Sequence, residues 1–167
     1  MTCTYFYDYH PYYLPNKEIN PNFTKIYSGK ILDLKEGNKD AINLFYSSID
    51  PHIKQNVLIA VVPSSDSNKI DTGIKELGRL LAENGRIDAT SCLVRHTSVP
   101  KAANGGPRDV HTHINSIQVQ NASLIQGKEV ILLDDITTSG SSLEACKQLL
   151  LNAGASKVEK IAIAKTV

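Results

Sequence analysis

The sequence predicts one α/β domain, built on a mostly parallel sheet with helices on its faces. Val57–Val62 is uniformly apolar and Glu129–Leu133 is nearly so, as expected for strands that are buried on both faces. Ile70–Asn84 and Ser142–Asn152 instead carry apolar side chains at helical spacing. Short buried strands that alternate with helices are typical of a parallel sheet.

The other core elements complete this alternation. Strands are predicted at Ala89–Val94 and Val158–Ala164, and a short strand at Ile117–Val119. Gly85 and Gly154 follow the two predicted helices directly, where a left-handed residue commonly ends a helix. Each helix therefore connects two strands of one sheet.

Two segments depart from this pattern. Residues 95–115 are polar and contain Gly105-Gly106-Pro107, which predicts a long loop of the kind that usually serves function. Residues 1–54 have weak periodicity, and five of the seven tyrosines fall within the first thirteen positions. We therefore divide the chain into an N-terminal hood or extension, residues 1–54, and a core, residues 55–167.

Composition narrows the classes of function. A length of 167 residues suits one domain, and a net charge of +1 argues against broad electrostatic capture of nucleic acid. No apolar stretch approaches the ~20 residues of a membrane span, and the N-terminus lacks the features of a signal peptide. Three dispersed cysteines form no disulfide framework and no zinc pattern. We expect a cytoplasmic protein without membrane contact.

The segment Val130–Leu143 carries the chemistry. Asp134 and Asp135 stand where a buried strand ends, and a loop rich in hydroxyls leads from them into a helix. A helix start offers unpaired amides and a positive dipole end, so this loop suits a phosphate. Carboxylates suit sugar hydroxyls, which can donate to them. The segment therefore predicts a sugar-phosphate site, whose loop residues are Thr137, Thr138, Ser139, Gly140, Ser141 and Ser142.

Other interpretations of these residues stay open. The segment has no Walker lysine and no dinucleotide-type glycine pattern. A plain strand–turn–helix connection explains a single Asp or Ser, and an unrelated doubly wound binding domain could carry an acidic cluster here. His111 and His113 would share one face of an extended segment and could bind a metal, but no third ligand is evident. A surface loop is therefore favoured for the histidines.

Val130–Leu143 resembles the motif of type I phosphoribosyltransferases that binds 5-phosphoribosyl-1-pyrophosphate (PRPP). Weaker similarity covers about residues 56–165 and is greatest to the ComF-like, competence-associated branch. The resemblance implies a Rossmann-like fold with a small hood. It also implies transfer of the 5-phosphoribosyl group to a nitrogenous acceptor with release of pyrophosphate, Mg²⁺ held mainly through PRPP, and a possible homodimer.

The resemblance also implies roles for single residues. Asp134 and Asp135 would contact the ribose hydroxyls, and the loop from Thr137 to Ser142 would hold the 5-phosphate. Pyrophosphate would lie against Pro63, Ser64 and Ser65, while Lys101 and Arg108 from the closing loop would neutralise it as it leaves. Aromatic residues of the hood could stack on the acceptor. The alternative function is a non-catalytic regulatory module that binds PRPP or a nucleotide and acts through a protein partner.

Overall fold

The computed structural model describes residues 2–101 and 109–167. Its main sheet has five strands, all parallel, in the order β1-β7-β6-β2-β3. These strands are Thr4–Tyr9 (β1), Leu58–Val61 (β2), Ile87–Asp88 (β3), Glu129–Thr137 (β6) and Lys157–Thr166 (β7). Leu93–Arg95 (β4) and Ile117–Val119 (β5) form a separate antiparallel pair. The predicted α/β fold with a mostly parallel sheet is confirmed.

Helices cover both faces of the sheet. One face carries Ser28–Lys35 (α1), Lys39–Ile49 (α2) and Gly73–Glu83 (α3), and a 3₁₀ turn at Asp50–His52 follows α2. The other face carries Val110–Ser116 (α4), Ala122–Ile125 (α5) and Ser141–Asn152 (α6). None of the helices in residues 2–101 and 109–167 has the length and apolar character to cross a bilayer.

Each strand contributes alternate side chains to two cores. In β2, Ile59 and Val61 pack with α1, α2 and α3, whereas Leu58 and Ala60 pack with α6. All four side chains are buried, because successive residues of a strand point to opposite faces. A uniformly apolar run is therefore what a central strand with two covered faces requires.

Two helix ends agree with the sequence predictions, and one helix start differs from them. Helix α3 begins at Gly73 instead of Ile70, because the Thr72 side chain accepts a hydrogen bond from the Lys75 amide at 3.3 Å and caps the helix there. Gly85 and Gly154 have φ values of 71° and 104°, so both predicted helix ends are confirmed.

Other predicted elements are corrected. Of the strand predicted at 89–94, only Leu93 and Val94 lie in a strand, β4. The Asp88 carboxylate accepts hydrogen bonds from the amide and hydroxyl of Thr90, and the turn that this forms separates β3 from β4. The predicted loop 95–115 contains helix α4, which Asp109 caps by accepting from the Thr112 amide at 2.9 Å. Strand β6 continues past Leu133 to Thr137.

The first 54 residues contribute to the same cores as the rest of the chain. β1 is an edge strand that pairs with β7, and α1 and α2 cover one face of the sheet. The connection at residues 10–27 follows the carboxyl end of β1, and within it the ring centroids of Tyr12 and Phe23 lie 5.0 Å apart. A hood over the site is therefore a prediction that rests on residues 10–27.

Candidate functional site

The site predicted from the sequence lies at the switch in strand order between β2 and β6. From β2 the chain passes through α3 on one face to β3, and from β6 it passes through α6 on the opposite face to β7. The Val62 amide donates to the Leu133 carbonyl at 2.9 Å, so Pro63 leaves the sheet beside Asp134. Open parallel sheets bind ligands in the crevice that forms at such a point.

The loop between β6 and α6 has the geometry of an anion site. Gly140 is the N-cap of α6 and has a φ of 80°, a left-handed conformation that glycine adopts at little cost. Because glycine has no side chain, Gly140 itself cannot cap the first turn of the helix, and the Ser139 hydroxyl accepts from the Ser141 amide at 3.4 Å. Hydroxyl pairs flank it: Thr138 Oγ1 with Thr166 Oγ1, and Ser139 Oγ with Ser141 Oγ, each at 2.9 Å.

Asp134 is the buried member of the acidic pair, with 9% of its surface exposed. It lies in β6 opposite Ala162 of β7, and its Oδ1 accepts a hydrogen bond from the Asp135 amide at 2.9 Å. Burial raises the pKa of the Asp134 carboxyl well above its ordinary value, and the neighbouring charge of Asp135 raises it further. Burial therefore disfavours the charged form of this acid.

Asp135 points to the opposite face of the sheet. Its side chain is 22% exposed, and Lys35 Nζ at the end of α1 lies 3.8 Å from its Oδ1. The same oxygen accepts a hydrogen bond from the Ile136 amide at 2.6 Å. Asp135 is therefore the more accessible acid, and its partner comes from the N-terminal part of the chain.

A buried arginine supports the loop after β2. Arg95 Nε donates to the Ser64 carbonyl at 2.6 Å, and its Nη1 donates to the Ser116 hydroxyl at 2.5 Å. The Val99 amide donates to the Ser65 carbonyl at 2.9 Å, so the segment after β4 lies along the predicted pyrophosphate loop. Arg95 also borders a small cavity of about 60 Å³ beside this loop.

Comparison with known families identifies the domain. A family model described as "Phosphoribosyl transferase domain" matches residues 74–166, more than half of the chain. The chain belongs to this family. The search of curated proteins gave no significant match.

Solved structures similar to this phosphoribosyl transferase domain include a phosphoribosylpyrophosphate synthetase from Mycobacterium smegmatis, at 23% identity and a TM-score of 0.42. That match covers 75% of this chain but 33% of the synthetase, so the chain spans about a third of that protein's length. A purine phosphoribosyltransferase from Pyrococcus horikoshii is 12% identical over 83% of this chain and 87% of its own, with a TM-score of 0.43. A hypoxanthine phosphoribosyltransferase from Staphylococcus aureus is 12% identical over 82% of this chain and 74% of its own, with a TM-score of 0.39.

The family match includes β6, its loop and α6, but it begins after the loop at residues 63–67. It also leaves out β1, α1 and α2, and thus Lys35. The structure places Pro63 beside the acids. The roles predicted for Pro63, Ser64 and Ser65 therefore remain predictions from position in the fold.

Of the two predicted basic residues, the structure describes one, Lys101. Lys101 is exposed at the end of the described segment before residue 102, and Arg108 lies outside the described residues.

His111 and His113 lie in helix α4 and not in an extended segment, so about 200° of helical rotation separates them. His113 Nδ1 is instead 3.4 Å from Arg95 Nη2. The proposed shared face of the two histidines is wrong.

The fold brings two residues to the site that no motif in the sequence indicates. The sequence places Arg95 only at the start of a loop, whereas its buried guanidinium joins Ser64, in the loop after β2, to Ser116 in α4. Lys35 carried no signal at all, because 100 residues of sequence separate it from Asp135 and no local pattern links them. Both became apparent only from tertiary contacts.

Proposed function

We propose that this phosphoribosyl transferase domain binds PRPP at the β6–α6 connection and transfers its 5-phosphoribosyl group to a nitrogenous acceptor. In that reaction the bond from the anomeric carbon to pyrophosphate breaks, a bond to the acceptor nitrogen forms, and pyrophosphate leaves. The observation that carries the proposal is Gly140, the left-handed N-cap of α6, which stands in the family-matched segment in the loop that follows the two acids.

The chain's own groups suit the two ends of the ligand. The first-turn amides of α6 and the hydroxyls of Thr138 and Ser139 would hold the 5-phosphate, helped by the positive end of the helix dipole. Asp135, the accessible acid, would accept hydrogen bonds from the ribose hydroxyls. Asp134 can join it only if the end of β6 leaves its strand geometry, because the two side chains now point to opposite faces.

The donors at the site fit a magnesium ion that the ligand itself carries. Mg²⁺ prefers oxygen ligands and usually takes few of them from protein. Asp135 supplies one carboxylate, and no cluster of three or more His, Cys, Asp or Glu side chains within residues 2–101 and 109–167 could form a protein cage. When bound, the ion would neutralise charge on the pyrophosphate. Asp135 is the residue that we expect to hold it together with PRPP.

We assign the acceptor side of the site to the connection at residues 10–27. Its aromatic cluster includes Tyr12, Tyr13 and Phe23, with ring centroids 4.7 and 5.0 Å from Tyr12. Such rings can stack on a planar base. Neutralisation of the leaving pyrophosphate by Lys101 and Arg108 stays a prediction, as do the ComF-like branch, a homodimer and a cytoplasmic location.

A second function is favoured by one observation. With Asp134 buried and turned away from Asp135, the domain could bind PRPP or a nucleotide without turnover and act through a partner. Fold alone does not decide between transfer and regulation.

The test is a titration with PRPP and Mg²⁺ followed by thermal stability, together with an assay of pyrophosphate release over a panel of nitrogenous bases and amines. Ligand at ~100 times its dissociation constant should stabilise the protein by ~2.7 kcal/mol. A shift with turnover supports the transferase, and a shift without turnover supports the regulatory module. No shift contradicts both. The double variant Asp134→Asn, Asp135→Asn should fold and should lose the shift.

A further inference from the structure

The last residue of α1 brings a basic side chain to the site from outside the family-matched segment. Lys35 Nζ lies 3.8 Å from Asp135 Oδ1. In the part of the chain that the structure describes, this is the one ion pair that either acid of the site makes. The location of Lys35 therefore bears on how an anionic ligand approaches the two acids.

The backbone at Lys35 is held firmly although its side chain is 42% exposed. Ile31 and Leu34 anchor α1 to the sheet with exposures of 1% and 0%. The Leu34 carbonyl oxygen sits so close to the start of α3 that a Cβ atom on Gly73 would lie 1.7 Å from it. The end of α1 is thus fixed against α3, while the Lys35 ammonium group can still move.

The pair with Asp135 is a loose one. Its 3.8 Å separation exceeds the ~3 Å of an N–H···O hydrogen bond, and both side chains are partly exposed. Pairs of this kind contribute little to stability, because water screens them. A ligand can therefore recruit the Lys35 ammonium without breaking an interaction on which the fold depends.

A pentose carrying phosphate and pyrophosphate brings several negative charges to a place that already holds two carboxyl groups. We propose that Lys35 contacts the bound PRPP directly, donating to one of its phosphate or ribose oxygens while Asp135 accepts from a ribose hydroxyl. The inference rests on the proposed function, and it assigns a substrate contact to the N-terminal part of the chain. The ammonium also offsets the repulsion between Asp135 and the ligand.

The chain offers a matched control on the same helix. Lys30 is 41% exposed and pairs with Asp33 at 3.5 Å, so Lys30→Gln removes an equal charge from a similar pair away from the acids. We expect Lys35→Gln to raise the dissociation constant for PRPP with Mg²⁺ about tenfold, which corresponds to ~1.4 kcal/mol. Lys30→Gln should bind as the wild type does, and Lys35→Arg should recover most of the affinity.

The dissociation constants of the wild type and the variants separate failure of this inference from failure of the proposed function. If the wild type shows no PRPP binding, the proposed function is contradicted, and the Lys35 contact with it. If the wild type binds and the two glutamine variants have equal dissociation constants, only the Lys35 contact is contradicted. Binding by Lys35→Gln should also depend less on salt than binding by Lys30→Gln. Equal melting midpoints without ligand would show that both variants fold.

Discussion

Asp134 and Asp135 are neighbours in one strand, yet they occupy opposite environments. Asp134 points toward the face covered by α6 and is buried, and its desolvation raises the pKa of the carboxyl well above the usual range. Asp135 points toward the face covered by α1, is 22% exposed and lies beside Lys35. The two aspartates therefore differ in how strongly their surroundings stabilise the charged carboxylate.

This difference between the two aspartates predicts that Asp134 bears mainly on stability and Asp135 mainly on ligand binding. A buried acid without an ion pair within 4 Å costs stability in its charged form, whereas an accessible acid beside a lysine costs little. The face of Asp135 therefore suits ionic contacts with a ligand. The face of Asp134 suits packing, because burial there disfavours the charged form of the carboxyl, whose Oδ1 accepts from the Asp135 amide at 2.9 Å.

The largest effect on stability is expected on the Asp135 face, at Gly73. A Cβ atom there would lie 1.7 Å from the Leu34 carbonyl oxygen, so Gly73→Ala must displace the end of α1 or the start of α3. We expect the free energy of unfolding to fall by ~2–3 kcal/mol in urea denaturation, because overpacking against backbone cannot relax easily. A displaced end of α1 would move Lys35, so we expect PRPP affinity to fall as well.

Gly29→Ala on α1 is the control for Gly73→Ala. Its added Cβ would meet the Lys25 Cβ at an ordinary 3.5 Å, so its stability should be equal to or higher than that of the wild type. An unchanged unfolding midpoint for Gly73→Ala would contradict the close approach of α1 to α3.

The next effect is expected at Asp134. Asp134→Asn keeps the carbonyl oxygen that accepts from the Asp135 amide and removes the ionisable group. The folded state binds the Asp134 proton more tightly than the unfolded state, so the wild type loses stability as the pH rises from about 4 toward the raised pKa. The variant lacks this loss and should be more stable at pH 7 by ~1–2 kcal/mol.

Chemical denaturation across pH checks the sign of this effect. The two proteins should have similar stability near pH 3, where Asp134 is mostly protonated in both the folded and the unfolded wild type. Their stabilities should diverge as the pH rises. A wild type that is more stable than Asp134→Asn at pH 7 would mean that the charged carboxylate is stabilised in the fold. The two faces would then resemble one another more closely than the geometry indicates.

A smaller effect is expected at Gly140, the N-cap of α6. A Cβ atom there would meet Thr137 Oγ1 at 3.8 Å, so there is space for it, and the cost of Gly140→Ala comes from the φ of 80°. The expected loss is ~1 kcal/mol. Gly127→Ala is the control, with a φ of 74° and nothing within 4 Å, in the turn before β6.

Both alanine variants should therefore lose similar stability in denaturant. Only Gly140→Ala should also weaken PRPP binding, because only Gly140 lies where the phosphate would approach. Equal PRPP affinity in the two variants would contradict a phosphate site at this helix.

Strand β6 shows which features of the site could be predicted from the sequence and which could not. The run Val130–Leu133 predicted β6 because its uniform apolarity matches a strand with two covered faces. The sequence did not predict that pairing continues to Thr137, opposite Lys165, because aspartates are poor strand formers and suggest a turn. Tertiary pairing with β7 overrode that local preference and turned the two acids to opposite faces.

The N-terminal part of the site was less accessible to prediction. Helix α1 buries only a few side chains, among them Ile31 and Leu34, so its periodicity is weak. β1 is an edge strand, and its exposed and half-buried residues form no apolar run. The proposed phosphate loop could be predicted from local chemistry, whereas the cation beside Asp135 depends on a contact across 100 residues.

The smallest effect on stability, and the sharpest on binding, is expected at Asp135. Asp135→Asn keeps an oxygen that can accept from the Ile136 amide and removes a loose, partly exposed pair with Lys35, so unfolding free energy should change by less than ~0.5 kcal/mol. PRPP binding with Mg²⁺ should weaken at least tenfold in calorimetry, because an amide is a poorer acceptor for ribose hydroxyls and a poorer ligand for Mg²⁺. Asp134→Asn in the same titration should retain more affinity than Asp135→Asn. If Asp134→Asn loses as much, the end of β6 must rearrange on binding so that both acids reach the sugar, and the apo difference between the faces would describe only the resting state.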